Sequence, residues 1–329
     1  MKILVTGGTG LVGSHIKKLV DTNEDSNKNN IYKDYEFIFV SSDDCDLKDR
    51  YKVTQLFKKH NPNSVIHLAA RVGGLYRNLS ENLQMFSDNI KINENVLEAC
   101  NYFNIYKAIF CLSSSIFPEN PSKFPMDETM IHESPPHHSN EGYAYSKRML
   151  ELQCRNYNKQ YGRNYICVIP VNLYGEHDNF TIKQTHVIPE LIHRLYNYKK
   201  NKTLVNKEEA FQVYGTGKPL RQFLYAGDFA KMVLNILFHY KPGHMNVKPI
   251  ICCNDEISIK ELVYKIAYIM QINLYDIVFD TEKLDGCMRK TVTNAYFKTQ
   301  FPEFNYTSLY EGLEKTINWF NENYKNVRK

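Results

Sequence analysis

The stretch Ile3-Leu4-Val5-Thr6-Gly7-Gly8-Thr9-Gly10-Leu11-Val12-Gly13 decides the fold of this chain. Its apolar start is short and ends at glycines, which predicts a buried strand followed by a turn. Residues 11–20 then repeat apolar side chains at helical spacing. A glycine-rich turn between a strand and a helix is the arrangement that holds the pyrophosphate of a dinucleotide.

The three glycines spaced by three residues have distinct roles in that arrangement. Gly7 permits the tight turn, Gly10 lets the backbone approach the pyrophosphate, and Gly13 lets the helix pack on the strand. The start of the helix then presents free N–H groups and a positive dipole to the phosphates. The predicted cofactor contacts of the turn are Gly7, Gly8, Thr9, Gly10, Leu11, Val12 and Gly13.

Strands and helices alternate through the first half of the chain. Continuous apolar segments predict strands at residues 35–40, 65–70, 108–113 and 166–170. Helical periodicity predicts intervening helices at residues 53–59, 89–100 and 143–160. Strands that are apolar throughout indicate a parallel sheet covered on both faces. The predicted fold class is α/β, a Rossmann-type doubly wound parallel sheet with a smaller C-terminal α/β lobe for substrate.

The pattern changes after about residue 175, where short strands surround a Gly-Thr-Gly turn at residues 215–217. We predict a nucleotide-binding domain at residues 1–175, to which residues 225–250 return. Residues 176–224 and 251–329 are predicted to form the smaller lobe, which packs over the carboxyl edge of the sheet.

The composition excludes several other classes of protein. Apolar residues make up 43% and charged residues 23%, which is ordinary for a soluble globular protein. The net charge is only +5, so a nucleic-acid partner is not expected. No apolar run approaches the roughly 18 residues of a membrane span, so no membrane partner is expected either. Because the N-terminus enters the first strand at once, we expect no signal peptide.

The eight cysteines do not predict a metal site or a set of disulfides. They lie at positions 45, 100, 111, 154, 167, 252, 253 and 287, and no pair has C-x-x-C spacing. We expect reduced thiols in a cytoplasmic protein and no bound metal.

Tyr143 and Lys147 are four residues apart, which places them on one face of a helix. An ammonium beside a phenol favours the phenolate and lowers a pKa that starts near ~10. Tyr143 then becomes a usable general acid toward a carbonyl oxygen at neutral pH. Ser113, just after a predicted strand, can hold the same oxygen, and Lys147 can also bind the ribose of a nicotinamide cofactor.

The end of the second predicted strand leaves the choice between NAD and NADP open. Ser41 and Ser42 could bind a 2′-phosphate, whereas Asp43 would repel it. Asp46 and Leu47 follow a few residues later. There Asp46 could meet the adenine amino group, or it could cap the next helix.

These motifs resemble the extended short-chain dehydrogenase/reductase family. The resemblance rests on the glycine turn, the His-Leu-Ala-Ala run at residues 67–70, the serine after the fourth strand and Tyr143-x-x-x-Lys147. Other segments resemble more closely the members that epimerise and reduce GDP-4-keto-6-deoxy-D-mannose. These segments are residues 70–74, 113–118, 140–149, 170–180, 186–189, 214–223 and 285–290.

This resemblance implies that GDP-4-keto-6-deoxy-D-mannose becomes GDP-L-fucose, by 3,5-epimerisation and then NADPH-dependent reduction at C4. It implies that Tyr143 protonates the C4 oxygen, that Lys147 lowers the pKa of Tyr143 and holds the ribose, and that Ser113 is the active-site serine. His186 matches a histidine that exchanges protons at C3 and C5.

The chain departs from the family at the position of a second proton-exchanging residue. The family has a cysteine where this chain has Ser115, and a serine hydroxyl is far less acidic than a thiol with a pKa near ~8.5. Three accounts are open. A neighbour activates Ser115, or His186 or a water carries out the whole exchange, or Cys111 substitutes, although its strand position is expected to face elsewhere.

The resemblance also implies binding residues and a partner. It favours NADP(H), with contacts from Ser41, Ser42, Asp46, Leu47, Leu68, Ala69, Ala70, Lys147, Pro170, Asn172, Leu173 and His186. The GDP-sugar is expected to contact Ser114, Asn172, Arg194, Tyr214, Arg221, Asp285 and Lys290. A homodimer is expected, formed by the helices at residues 89–100 and 143–160.

Several alternative functions stay open. The chain could be another nucleotide-sugar epimerase/reductase of the family, or a 4-reductase with weakened epimerase activity. A 4,6-dehydratase usually shows an acidic pair soon after the active-site serine or threonine, and Ile116-Phe117-Pro118 argues against that function. A non-catalytic NADP-binding regulator would be expected to lack Tyr143 or Lys147, and both are present.

Overall fold

The strands and helices of the chain are described by a computed structural model for residues 1–22, 31–205, 210–241, 247–283 and 285–328. Parts of the three predicted regions 176–224, 225–250 and 251–329 lie outside these ranges. The strands are β1 (Lys2–Thr6), β2 (Glu36–Val40), β3 (Ser64–His67), β4 (Lys107–Cys111), β5 (Asn164–Pro170), β6 (Asn172–Tyr174), β7 (Phe211–Tyr214), β8 (Leu220–Tyr225), β9 (Ile250–Cys252), β10 (Glu256–Ser258) and β11 (Ile277–Asp280). The α-helices are α1 (Leu11–Thr22), α2 (Arg50–His60), α3 (Leu75–Ser80), α4 (Asn82–Tyr102), α5 (Glu141–Tyr161), α6 (Val187–Val205), α7 (Ala226–His239), α8 (Ile259–Ile269), α9 (Ala295–Gln300) and α10 (Leu309–Asn323). None of the helices in these ranges has the length and apolarity that crossing a membrane requires.

Six strands form a parallel sheet in the order β2-β1-β3-β4-β5-β9. Val5 of β1 lies in register between Phe39 of β2 and Ile66 of β3. The chain leaves β1 toward one edge of the sheet and returns to the other side with β3, which opens a crevice at their carboxyl ends. The prediction of a Rossmann-type doubly wound sheet is confirmed.

Several helices extend beyond their apolar pattern. α4 begins at Asn82 rather than at residue 89, because its first turns expose Leu83 and part of Phe86 and so hide the periodicity. α2 begins after Asp49, whose carboxylate accepts a hydrogen bond from the Lys52 amide. The alternative that Asp46 caps this helix is therefore wrong. Its carboxylate accepts a hydrogen bond from the Lys48 amide at 3.0 Å, within the preceding turn.

Two clusters of buried apolar side chains fill the interior. The larger cluster surrounds the six-stranded sheet and includes most of α7 together with β9. The smaller cluster lies among α6, α8, α10, β7 and β8. The sheet β10-β8-β6 connects the two regions, since Asn172 of β6 pairs with Phe223 of β8 and also lies beside the carboxyl end of β5.

Candidate active site

A cavity of about 510 Å³ lies at the carboxyl ends of β1, β3, β4 and β5. The predicted residues that line it are Gly7, Gly10, Leu11, Val12, Gly13, Leu68, Ala69, Ala70, Ser113, Ser114, Tyr143, Lys147, Pro170, Asn172, Leu173 and His186. The predicted residues outside its lining are Gly8, Thr9, Ser41, Ser42, Asp46, Leu47, Ser115, Arg194, Tyr214, Arg221, Asp285 and Lys290. The cavity thus unites the glycine turn with the proposed proton-transfer residues.

The glycine turn has the shape that a dinucleotide pyrophosphate requires. Gly7 adopts a φ of +71°, and a Cβ there would lie 2.9 Å from the backbone nitrogen of Ala69. A Cβ on Gly13 would lie 2.5 Å from the carbonyl oxygen of Gly7. The first turn of α1 presents N–H groups that have no helical acceptor. The residues present therefore fit the pyrophosphate of NADP(H).

Gly8 serves the packing of the turn rather than the cavity. Its amide donates to the carbonyl of Val40 at 2.9 Å. A Cβ at this position would lie 2.7 Å from the Cβ of Phe39. Gly8 packs against β2 and Thr9 is exposed, so their predicted cofactor contacts stay a prediction.

Lys147 is held beneath the cavity and is almost completely buried. Its Nζ donates to the carbonyl oxygen of Cys111 at 2.7 Å and lies 5.8 Å from the centre of the Tyr143 ring. Burial lowers the pKa of Lys147. Burial also raises the pKa of Tyr143, and a hydrogen bond with Ser113 opposes this shift only in part. Lys147 was expected to lower the pKa of Tyr143, but burial of the phenol raises that pKa instead.

Ser113 joins the backbone of the turn after β4 to the reaction site. Its Oγ accepts a hydrogen bond from the amide of Ser115 at 3.2 Å, which caps the short 3₁₀ helix Ser114–Ile116. The same side chain hydrogen-bonds with Tyr143. The Ser115 hydroxyl itself is buried and has no hydrogen-bond partner among the described residues. No neighbour that could activate Ser115 is therefore present in the described part of the chain.

Cys111 lines the cavity, contrary to the expectation that its strand position faces elsewhere. Its charge would act on both Tyr143 and Lys147, so the thiol lies close to both side chains. Burial raises the pKa of Cys111 to about 11. The residue is consequently a neutral thiol at pH 7 and a weak proton acceptor.

His186 is open to the cavity, although the protein around its ring lowers its pKa by desolvation. A neutral imidazole at pH 7 can accept a proton.

Asp178 lines the same cavity and was not predicted as a site residue. Its carboxyl is buried, one oxygen has no partner among the described residues, and burial raises its pKa to about 7.

The turn after β2, where the adenosine ribose is expected, contains an engaged carboxylate. Asp44 accepts hydrogen bonds from the amide and the hydroxyl of Ser41, at 2.8 and 2.7 Å. These bonds lower the pKa of the Asp44 carboxyl, so it is ionised at pH 7. Ser41 is therefore occupied, and the turn contains a second anion besides Asp43 that disfavours a 2′-phosphate.

Arg194 and Tyr214, two of the predicted substrate contacts, form one pair in the smaller lobe. The Arg194 guanidinium lies 5.3 Å from the centre of the Tyr214 ring and 5.0 Å from that of Phe211. Its Nη2 donates to the carbonyl of Gln212 at 2.6 Å. The Tyr214 side chain is largely exposed. This pair therefore presents a flat ring beside a fixed cation.

Arg221, Asp285 and Lys290 form a second group. The charge of Asp285 acts on Arg221, and Arg221 in turn lowers the pKa of Lys290, where burial is the larger cause. Asp285 is itself held by the amide of Thr216, 2.9 Å from its Oδ1. Two partly buried cations so close together favour a diphosphate between them.

Comparisons with known proteins agree with this site. Residues 3–247 match the NAD dependent epimerase/dehydratase family. The chain is 43% identical to the GDP-L-fucose synthase of Dictyostelium discoideum, over 99% of this chain and 97% of that protein. It is 39% identical to the probable GDP-L-fucose synthase of Drosophila melanogaster, over 100% of this chain and 99% of that protein.

A solved structure shows the same architecture with a cofactor. It is a GDP-L-fucose synthetase from Naegleria fowleri bound to NADP, with a TM-score of 0.88 and 40% sequence identity. The match covers 100% of this chain and 95% of that one. The likeness therefore extends over both regions of the molecule.

Proposed function

Because the chain belongs to the NAD dependent epimerase/dehydratase family, we propose that it converts GDP-4-keto-6-deoxy-D-mannose to GDP-L-fucose with NADPH. The observation that carries this proposal is the single cavity that joins the glycine turn to Ser113, Tyr143, Lys147 and His186. The full-length similarity to GDP-L-fucose synthases supports the choice of substrate.

NADPH, when bound, supplies the hydride for reduction at C4. Tyr143 donates a proton to the C4 oxygen, and its raised pKa keeps the phenol protonated at pH 7. Ser113 donates a second hydrogen bond to the same oxygen and so fixes its position. Lys147 is anchored on the Cys111 carbonyl, and its remaining N–H groups would hold the cofactor ribose.

Epimerisation depends on the acidity that the 4-keto group gives to the protons at C3 and C5. We assign the base role to His186, since desolvation keeps its imidazole neutral at pH 7. Ser115 has no activating partner in the described chain, and the Cys111 thiol has a pKa of about 11. We therefore favour the account in which His186 and a water exchange both protons.

The GDP part of the substrate is assigned to the smaller lobe. Arg221 and Lys290 bind its diphosphate, and Asp285 holds the loop that carries Thr216 beside them. Tyr214 and Arg194 form the flat face. Ser114 and Asn172 line the main cavity and are assigned to the sugar.

We also propose that two copies associate through α4 and α5. A surface groove between these helices is lined by Leu83, Phe86, Tyr145 and Met149, and Leu83 is 75% exposed. A second copy of the same helices would cover these side chains. Leu83→Asp should shift the mass in light scattering from dimer to monomer, whereas a monomeric wild type would refute the assembly.

Since all eight cysteines are free, we place the enzyme in the reducing cytoplasm.

The first experiment is a turnover assay with GDP-4-keto-6-deoxy-D-mannose and either NADPH or NADH. Cofactor oxidation is followed and the sugar is identified by NMR in D₂O. GDP-L-fucose with deuterium at C3 and C5 supports both steps. GDP-D-rhamnose shows that only the reductase acts, and no oxidation refutes the proposal.

The same assay applied to Ser115→Cys tests the account of epimerisation. A thiol at this position would add a more acidic proton-exchanging group, so deuterium incorporation at C3 and C5 should become faster. Unchanged incorporation in Ser115→Cys, with reduction intact, would show that position 115 takes no part in the exchange. Ser115→Ala tests the same point from the other side, since incorporation should persist if His186 and a water suffice.

A further inference from the structure

The chain returns to the cofactor cavity near its C-terminal end, at Arg328. This residue lines the same cavity as the glycine turn, although more than 300 residues separate them in the sequence. Its carbonyl accepts a hydrogen bond from the amide of Phe180 at 2.8 Å, and its backbone forms a bridge with Asn179. Val327 beside it is buried in the smaller apolar cluster. The backbone of this C-terminal strap, residues 327–328, is thus held by backbone bonds and by the burial of Val327.

The Arg328 side chain is exposed and oriented by a single described hydrogen bond. Its Nη2 donates to the carbonyl of His177 at 3.0 Å. Its charge acts on the carboxyl of Asp178, whose burial favours the neutral acid up to a pH of about 7. The guanidinium consequently keeps several N–H donors and most of its charge for another partner.

The other cations of the cavity are already engaged. Arg71 forms ion pairs with Glu81 at 2.6 Å and with Asp88 at 2.8 Å. Arg77 pairs with Glu81 at 3.1 Å, and Lys147 is bound to a backbone carbonyl. Among the described arginines and lysines that line the cavity, Arg328 is the exposed one for which no carboxylate lies within ion-pair distance. The glycine turn itself, residues 6–13, contains no basic side chain.

We propose that Arg328 binds the diphosphate of the dinucleotide cofactor, opposite the amide groups of the glycine turn. A planar guanidinium can donate two parallel hydrogen bonds to phosphate oxygens, which suits a diphosphate in this cavity. The GDP diphosphate has the same chemistry, but Arg221 and Lys290, the cations assigned to it, lie outside the cavity lining. This inference rests on the proposed function, since that function supplies the cofactor.

Direct binding to the purified, full-length protein tests the proposal without turnover. Arg328→Gln should raise the Kd of NADPH about tenfold, measured by the fluorescence of the bound nicotinamide. Arg328→Lys should recover part of the affinity, because lysine restores the positive charge but cannot donate two parallel hydrogen bonds as a guanidinium does. Lys325→Gln, an exposed cation on the same terminal segment, is the matched control and should leave the Kd unchanged.

NADH and GDP identify which phosphate Arg328 contacts. NADH lacks the 2′-phosphate and keeps the diphosphate, so Arg328→Gln should weaken NADH and NADPH by the same factor. A loss confined to NADPH would assign Arg328 to the 2′-phosphate and overturn the proposal. Weaker GDP binding with unchanged NADPH binding would assign it to the substrate and also overturn it.

The controls separate this inference from the proposed function and from a folding defect. Wild-type protein that binds NADPH, together with Arg328→Gln that binds it equally well, would refute the inference alone. Wild-type protein that binds neither NADPH nor NADH would refute the proposed function itself. The thermal midpoint of Arg328→Gln without nucleotide should equal that of wild type, because the strap is held by backbone bonds.

Discussion

The two ends of the cofactor cavity are built in different ways. At one end, the glycine turn is a single run of consecutive residues, and the backbone itself supplies the binding groups. At the other end, Ser113, Tyr143 and His186 come from separate parts of the chain and act through side chains. A backbone site tolerates no change of shape, whereas a side-chain site can change its chemistry while the fold stays constant.

The surroundings of Gly13 and of Ser115 illustrate this difference between backbone and side-chain sites. A Cβ on Gly13 would lie within 2.6 Å of the carbonyl groups of both Gly7 and Gly8, and neither can move without bending the first strand. The Ser115 hydroxyl, by contrast, has no partner among the described residues to lose. A serine therefore stands where the resembled family has a cysteine, and no described hydrogen bond depends on its hydroxyl.

Tyr143→Phe should have the largest effect, because it removes the proton donor at the side-chain end of the cavity and leaves the glycine turn unchanged. Loss of the proton donor should lower kcat for C4 reduction about 1,000-fold, within the range for general acids. The Kd of NADPH should stay within twofold of wild type. Tyr145→Phe, two residues along the same helix, is the matched control, and equal activity of both variants would remove Tyr143 from the reaction.

Gly13→Ala tests the backbone end. The added methyl group meets two backbone carbonyls, so the turn must open and the Kd of NADPH should rise about 100-fold. Lys17→Ala, on the exposed face of the same helix, is the control and should leave the Kd unchanged. Isothermal titration measures both variants, and equal affinities would contradict the backbone argument. Circular dichroism of each variant confirms that it is folded.

Asp178→Asn tests the side-chain end of the cavity through the pH dependence of the free energy of unfolding. The folded-state pKa of Asp178 is raised from 3.8 to about 7, so between these values the folded chain binds more protons than the unfolded chain. This carboxyl therefore makes the folded state less stable as the pH rises from 4 to 7, by up to about 1.4 kcal/mol per pH unit. Asp178→Asn should remove that slope from the free energy of unfolding measured in urea.

The exposed Asp255 provides the control for this experiment. Asp255→Asn should leave the pH dependence of the unfolding free energy as it is in wild type. An unchanged slope in Asp178→Asn would mean that the buried carboxyl is ionised throughout the range and compensated by a neighbour such as Arg328.

Asp44→Asn should have the smallest effect. It changes the turn after β2, where the adenosine ribose is expected. Removing the carboxylate that Ser41 holds reduces the repulsion of a 2′-phosphate, so the preference for NADPH over NADH should rise about threefold in kcat/KM. Asp21→Asn, on the exposed end of α1, is the control. A preference that falls in Asp44→Asn would show that the carboxylate positions the phosphate-binding serine instead of opposing the phosphate.

Much of the fold could be predicted from residues 2–13 and the apolar strands, because burial on both faces leaves a strong local signal. The starts of helices were less predictable. Exposed apolar side chains such as Leu83 conceal the periodicity of α4, and the same side chains line the groove assigned to the dimer.

The predicted reaction residues Ser113, Tyr143, Lys147 and His186 do meet in one cavity. Asp178 was missed, although the sequence contained a signal in the run Asp178-Asn179-Phe180. Nothing near Arg328 in the sequence suggests that it lines the same cavity as the glycine turn. The expected orientation of Cys111 was wrong, since it depends on how the strand packs in the completed sheet.

The sequence by itself determined the doubly wound sheet, the glycine turn and the Tyr143–Lys147 pair. Each of these depends on backbone geometry or on a spacing of a few residues, which local physics sets. Tertiary structure alone decided that Arg328 lines the same cavity as the turn and that burial raises the pKa of Tyr143. It also left the Ser115 hydroxyl without a hydrogen-bond partner among the described residues. These properties depend on which distant atoms share a low-dielectric space, and only the completed packing brings those atoms together.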